Sequence, residues 1–84
     1  METIQIATEL ENIFRKVFFN KELTISNSTS AKDIDGWDSL THVELINEIE
    51  HYFNIRFSFN EVLSFQDAGA LIKSISQHLQ SNGK

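Results

Sequence analysis

The residues of this sequence that could do chemistry are concentrated between Asp33 and His42. Asp33 and Asp35 precede Gly36, a pattern similar to part of a calcium-binding EF-hand loop, in which a glycine occupies the sixth position. Aligning Gly36 with that position places Ala31 at the first ligand position and His42 where a bidentate Glu is required. Because neither Ala31 nor His42 has the carboxylate that its position requires, the sequence predicts no metal site.

Asp38, Ser39 and His42 have the side-chain types of a nucleophilic catalytic triad. A hydrolase would also need a sharp Gly-x-Ser-x-Gly turn and a second lobe to enclose its substrate, and the sequence offers neither. We therefore expect no enzymatic activity. Counted around a helix, His42 faces the core as a packed or capping residue, whereas His51 and His78 are expected to lie in solvent.

Ser39 could have a different chemistry, because it follows Gly36 and Asp38 at the predicted start of a helix. The first turn of a helix has unpaired N–H groups and the positive end of the helix dipole. A phosphate esterified to the Ser39 hydroxyl would be favoured there. A serine near a helix start is more often only a cap, so these residues alone leave both interpretations open.

The composition limits the classes of molecule that this protein could bind. The chain has 84 residues, no cysteine and a net charge of −5, which is the wrong sign for binding nucleic acid and excludes thiol chemistry by its own side chains. Between Asp33 and Glu61 there are seven acidic residues and one basic residue, Arg56, so this segment should attract basic protein surfaces. No apolar run approaches the length of a membrane span and no secretion signal is visible, so we expect a cytoplasmic protein.

Apolar periodicity and capping residues predict four helices. The first runs over residues 4–19, a long polar loop follows over 20–37, and the second helix runs from Ser39 to Phe53 behind the N-cap Asp38. A short third helix over 59–63 begins at the capping box Ser58 to Glu61, and a similar pattern from Ser64 to Asp67 starts the fourth. We therefore predict an all-α fold, a four-helix bundle in a single domain over residues 1–84.

Side-chain direction within these elements follows from about 100° of rotation per residue. The loop should be anchored by Leu23, Ile25 and Ile34. One side of the second helix is predicted to face the core, with Val43, Leu45, Ile46, Ile49, Tyr52 and Phe53. The opposite side is polar and acidic, apart from Leu40, with Glu44, Asn47, Glu48 and His51.

These elements are similar to those of the acyl carrier protein family over nearly the whole chain. The similarity is carried by Gly36-Trp37-Asp38-Ser39-Leu40, by Val43-Glu44-Leu45, and by Glu48, Phe53, Ile55 and Phe57. It implies that Ser39, preceded by Asp38, carries 4′-phosphopantetheine installed from coenzyme A by a phosphopantetheinyl transferase. Cargo would then travel as a thioester on the thiol of this arm, and the lack of cysteine makes an acquired thiol the only route to a thioester.

The resemblance also implies a function and a docking surface. The protein would deliver acyl intermediates to fatty acid or polyketide biosynthetic enzymes, as a monomer. We predict that Leu40, Glu44, Asn47 and Glu48 dock the basic patches of the transferase and of acyl-loading and acyl-transferring enzymes.

Three departures from the family pattern leave the cargo open. Thr41 stands where fatty-acid carriers often have an acid, Trp37 stands where they have a small residue, and only Gly36 matches the Gly-Gly of peptidyl carriers. The alternatives are a peptidyl or aminoacyl carrier and an unmodified acidic helical module that binds other proteins. We expect four phenylalanines to crowd the interior, which would favour a short or polar cargo or one left in solvent: Phe53, Phe57, Phe59 and Phe65.

Overall fold

The computed structural model describes residues 2–82, and over this range the fold is all-helical, as predicted. The helices are α1 (Thr3–Val17), α2 (Ser39–Phe53), α3 (Phe59–Ser64) and α4 (Ala68–Asn82), with a long loop between α1 and α2. The bounds of α2 agree with the prediction, whereas α1 ends at Val17 rather than at residue 19. Within residues 2–82, none of the four helices combines the length and the hydropathy that a membrane span requires.

The three longer helices share one hydrophobic core, because each turns an apolar stripe inward and α1 packs against both α2 and α4. Seven side chains in this core are fully buried: Ile6, Leu10, Phe14, Leu45, Ile49, Leu71 and Ile75. Burying a large aliphatic or aromatic side chain contributes about 1.5 to 3 kcal/mol, so these seven make a large contribution to the stability of the fold.

The apolar side of α2 is narrower than predicted. Val43 and Tyr52 are 52% and 53% exposed, whereas Leu45, Ile46, Ile49 and Phe53 are buried as expected. The expectation for Val43 and Tyr52 was wrong because both residues lie at the margins of the apolar stripe, where each remains about half exposed. A hydrogen bond to Glu9 raises the pKa of the exposed Tyr52 hydroxyl.

The loop between α1 and α2 is anchored to the core and to α4. Ile34 is buried, and Leu23 and Ile25 pack against the core at its edge, as predicted. The loop carbonyls of Asn27 and Thr29 also accept hydrogen bonds from the backbone N–H groups of Gly69 and Ala68, at 2.9 and 2.8 Å. The loop therefore supplies partners for the first turn of α4, whose N–H groups have none within the helix.

The start of α4 differs from the predicted capping pattern. The Ser64 hydroxyl donates to the Glu61 carbonyl at 2.9 Å, and the Asp67 carboxylate accepts from the Ala70 N–H at 2.8 Å. Asp67 rather than Ser64 thus caps α4. A Ser-x-x-acid pattern does not distinguish the two arrangements, because Ser and Asp are both good N-caps.

Helix α3 has no buried residue, although Val62 packs against the edge of the core, and Glu61 links the helix to α4 by polar contacts. The predicted capping box is present, since the Ser58 N–H donates to the Glu61 carboxylate at 2.7 Å. The same carboxylate contacts the Ser74 hydroxyl at 3.0 Å and His78 Nε2 at 2.9 Å, both on α4. These bonds, led by that from the Ser58 backbone, lower the pKa of Glu61 to about 2. The expectation that His78 lies in solvent was therefore wrong.

Candidate functional site

The turn that leads into α2 is held by Gly36, Asp38 and Thr41. Gly36 has φ +90°, a conformation that a side chain would strain, and its carbonyl accepts the Thr41 hydroxyl. The Asp38 carboxylate accepts the N–H groups of Leu40 and Thr41, both at 3.0 Å, while the Thr41 hydroxyl accepts the Asp38 N–H at 2.9 Å. Asp38 is thus the predicted N-cap, and the Thr41 N–H in particular lowers its pKa. The presence of a threonine at position 41 is thereby explained, because Thr41 forms the second half of the capping box with Asp38.

Ser39 is the first residue of α2, and its side chain is exposed. Its hydroxyl is therefore accessible to an external enzyme. One expectation needs correction: the N–H groups of Leu40 and Thr41 are occupied by Asp38, so they are not available to hold a phosphate on Ser39. A group attached to Ser39 would project from the helix start without being clamped by these two donors.

An open apolar groove of about 490 Å³ lies beside Ser39, between the start of α2 and α3. Its walls include Val43, Phe59, Val62, Leu63 and Phe65. Phe59 is 76% exposed at the rim, so the expectation that it crowds the interior was wrong. Phe59 is the first residue of α3, a surface helix with no buried residue, and it lines the groove instead of the core.

Trp37 and His42 tie three elements together at the base of this groove. Trp37 is buried, and its ring meets Phe14 edge-on with centroids 5.2 Å apart. Its indole N–H donates to His42 Nδ1 at 3.0 Å, and His42 Nε2 lies 3.0 Å from the Val62 carbonyl of α3. Since an indole can only donate and a carbonyl can only accept, the His42 proton must reside on Nε2.

This arrangement decides between the sequence interpretations of His42. Both ring nitrogens have partners other than Ser39, so His42 is the packed residue that was predicted and not a general base for a serine nucleophile. The role of Trp37 as an anchor was missed from the sequence. A large aromatic residue directly before a helix cap is the local signal that could have suggested it.

The predicted docking residues share one exposed side of α2. Leu40 is 73% exposed, Glu44 and Asn47 are exposed, and Glu48 is partly exposed. Glu48 also pairs with Lys16 of α1 at 3.1 Å, a contact that the sequence did not reveal. The structure thus places Glu44, Asn47 and Glu48 on the same exposed side of α2 as the apolar Leu40, which directly follows Ser39.

The fold and the exposed serine at a capped helix start define a carrier domain, and comparisons with known proteins agree. The family model described as "Phosphopantetheine attachment site" matches residues 8–75. The solution NMR structure of a holo acyl carrier protein from Geobacter metallireducens is similar, with a TM-score of 0.86 and 34% sequence identity. The match covers 92% of this chain and 88% of that one. No curated protein matched the chain.

The chain therefore belongs to the acyl carrier protein family, and its cofactor is covalent 4′-phosphopantetheine. The residues present fit this group. Ser39 presents an accessible hydroxyl, and the open groove beside it leaves space for an attached arm. Carrier domains of this family interact in general with phosphopantetheinyl transferases and biosynthetic enzymes.

Proposed function

We propose that this protein is an acyl carrier protein whose arm is attached to Ser39. The observation that carries the proposal is an exposed serine, rigidly presented by the Asp38 cap, at the mouth of an apolar groove. In the modification reaction the Ser39 oxygen forms a bond to the phosphorus of coenzyme A nearest the pantetheine. The bond from that phosphorus to the nucleotide part breaks, and a base on the transferase accepts the serine proton.

The chain itself performs no chemistry in this proposal. When attached, phosphopantetheine supplies the thiol for a thioester, which a chain without cysteine cannot provide. Ser39 serves only as the attachment point, and His42 is engaged by Trp37 and Val62 rather than by a substrate. A tethered cargo reaches successive enzymes at a high effective concentration, which is how such a carrier accelerates a pathway.

Docking of partner enzymes is proposed for the exposed side of α2. Leu40 would supply an apolar contact, while Glu44, Asn47 and Glu48 would meet basic patches on the transferase and on the acyl-loading and acyl-transferring enzymes. Attraction between exposed charges speeds encounter yet permits release, as a shuttle requires. We further propose that residues 1–84 act as one monomeric carrier domain in the cytoplasm.

The groove favours an acyl cargo over a peptidyl or aminoacyl cargo, because its walls are apolar. Phe53 and Phe57 are buried in the core, so we propose that the core remains closed to cargo. A chain on the arm would instead lie against the exposed Phe59 and Leu63 at the surface.

The direct test is to incubate the purified protein with coenzyme A and a broad-specificity phosphopantetheinyl transferase, and then to measure its mass. We expect the gain of one phosphopantetheine, and no gain in Ser39→Ala. An unmodified interaction module would show no gain in either form. Loading with an acyl-pantetheine should shift NMR signals of Phe59 and Leu63, and shifts throughout the core would refute the closed interior.

A further inference from the structure

Phe19 is the most exposed large hydrophobic residue described in this protein, at 94%. It lies two residues after the end of α1 and has φ +54°, in the left-handed region. Bulky residues rarely adopt this conformation, because their Cβ approaches the following carbonyl oxygen. The fold therefore holds an aromatic side chain in a strained backbone conformation and gains almost no burial from it.

The backbone hydrogen bonds around Phe19 account for its left-handed conformation, but they do not require an aromatic side chain. The Phe18 N–H donates to the Phe14 carbonyl at 2.9 Å, and the Asn20 N–H donates to the Arg15 carbonyl at 3.1 Å. The second bond closes a Schellman motif, in which the residue at the position of Phe19 is usually glycine. Glycine or asparagine would end α1 equally well, so the phenylalanine ring is not needed to form the helix end.

The surroundings of Phe19 indicate what the ring could contact. It lines a surface depression of about 370 Å³ together with Lys16 and Val17 of α1, and with three of the proposed docking residues of α2: Glu44, Asn47 and Glu48. Lys16 is paired with Glu48, which leaves the Glu44 carboxylate as the unneutralised charge of this depression. An apolar ring beside an acidic helix is complementary to a protein surface that has an apolar recess next to basic side chains.

The distance from Ser39 is compatible with a single partner. Glu48 follows Ser39 by nine residues, about 14 Å along α2 at 1.5 Å per residue. A standard interface of about 800 Å² per partner is roughly 30 Å across. Because Phe19 lines the same depression as Glu44 and Glu48, an interface of this width has room for Ser39, both acidic residues and Phe19.

We propose that Phe19 is an apolar anchor for the phosphopantetheinyl transferase, extending the docking surface from α2 onto the end of α1. The proposal rests on the proposed function, because it requires that a transferase approach Ser39. Aromatic side chains near the centre of an interface contribute much of its binding energy, which is a reason to keep a ring at a strained position.

Transfer kinetics with a broad-specificity transferase and coenzyme A test this role. Phe19→Gly and Phe19→Asn both suit the left-handed conformation, and we expect each to lower kcat/KM about tenfold, mainly by raising KM for the carrier. In urea both variants should be at least as stable as the unaltered protein, because the strain is relieved. Ile4→Asn is the matched control, since Ile4 is 73% exposed at the opposite end of α1.

Two outcomes would overturn the docking role of Phe19 and leave the proposed function standing. Equal kcat/KM for the Phe19 variants and the unaltered protein would remove Phe19 from the interface while leaving the modification of Ser39 intact. A similar loss in Ile4→Asn would show that any exposed apolar residue has the same effect. If the unaltered protein takes up no phosphopantetheine, the proposed function fails, and the docking role of Phe19 falls with it.

Discussion

Replacing Glu61 with Gln tests how the exposed helix α3 is held in place. The Glu61 carboxylate is bound by the Ser58 N–H, the Ser74 hydroxyl and His78. Glutamine can preserve the capping box with Ser58, so this substitution removes mainly the charge that faces α4. Loss of that charge should therefore weaken the attachment of α3 without deleting its N-terminal cap.

The size of the effect follows from the pKa of Glu61, which is lowered from 4.5 to about 2. At about 1.4 kcal/mol per pH unit, this difference corresponds to roughly 3 kcal/mol of unfolding free energy. A third of the side chain is exposed to solvent, and glutamine keeps a neutral form of the Ser58 bond, which is the largest cause of the shift. Both effects reduce the expected contribution of the charge to about 1 to 2 kcal/mol. Because the folded-state pKa is the lower one, the contribution is complete above about pH 4.5 and is lost as the pH falls towards about 2.

Urea unfolding, followed by the fluorescence of the buried Trp37, measures this contribution. We expect Glu61→Gln to be less stable than the unaltered protein by about 1 to 2 kcal/mol at pH 7, and by about half of that or less at pH 3. Glu44→Gln removes an exposed carboxylate on α2 and serves as the control, with little change expected at pH 7. Equal stabilities of Glu61→Gln and the unaltered protein at pH 7, or a difference of the same size at pH 3, would refute the electrostatic attachment of α3.

Two further experiments test the docking surface and the loop. Reversing Glu44 and Glu48 to Lys should slow modification of Ser39 at low salt, and the difference should shrink at high salt as screening increases. Equal rates at low salt would exclude both residues from docking. Gly69→Ala should destabilise the protein by about 1 to 3 kcal/mol in urea, because the added Cβ would lie 2.7 Å from the Asn27 carbonyl oxygen. An unchanged urea midpoint would contradict tight packing of the loop on α4, and the exposed Gln77→Ala is the neutral control.

Much of the fold was predictable because its signals are local. The apolar repeat and the cap at Asp38 predicted α2 from Ser39 to Phe53, and these bounds are confirmed. The capping box from Ser58 to Glu61 likewise marked the start of α3. Such signals concern residues three or four positions apart, whose relative placement is determined by helix geometry alone.

The candidate site was predictable for a different reason. Ser39 was selected by the pattern of residues around it and by their similarity to a family, rather than by helix periodicity alone. The structure then explained two of the departures from that pattern. Thr41 completes the cap with Asp38, and Trp37 anchors the turn through His42.

The sequence by itself determined the four helices, the caps of α2 and α3, and the serine at the start of α2. The tertiary structure was needed to show which neighbours cover each helix. His78 contacts Glu61, seventeen positions earlier in the sequence. Phe59 lies outside the core, and Phe19 lies beside α2. Periodicity gives the angle of a side chain about its own helix axis. It does not identify the element that packs against that side of the helix. Burial, ion pairs and grooves all depend on this packing.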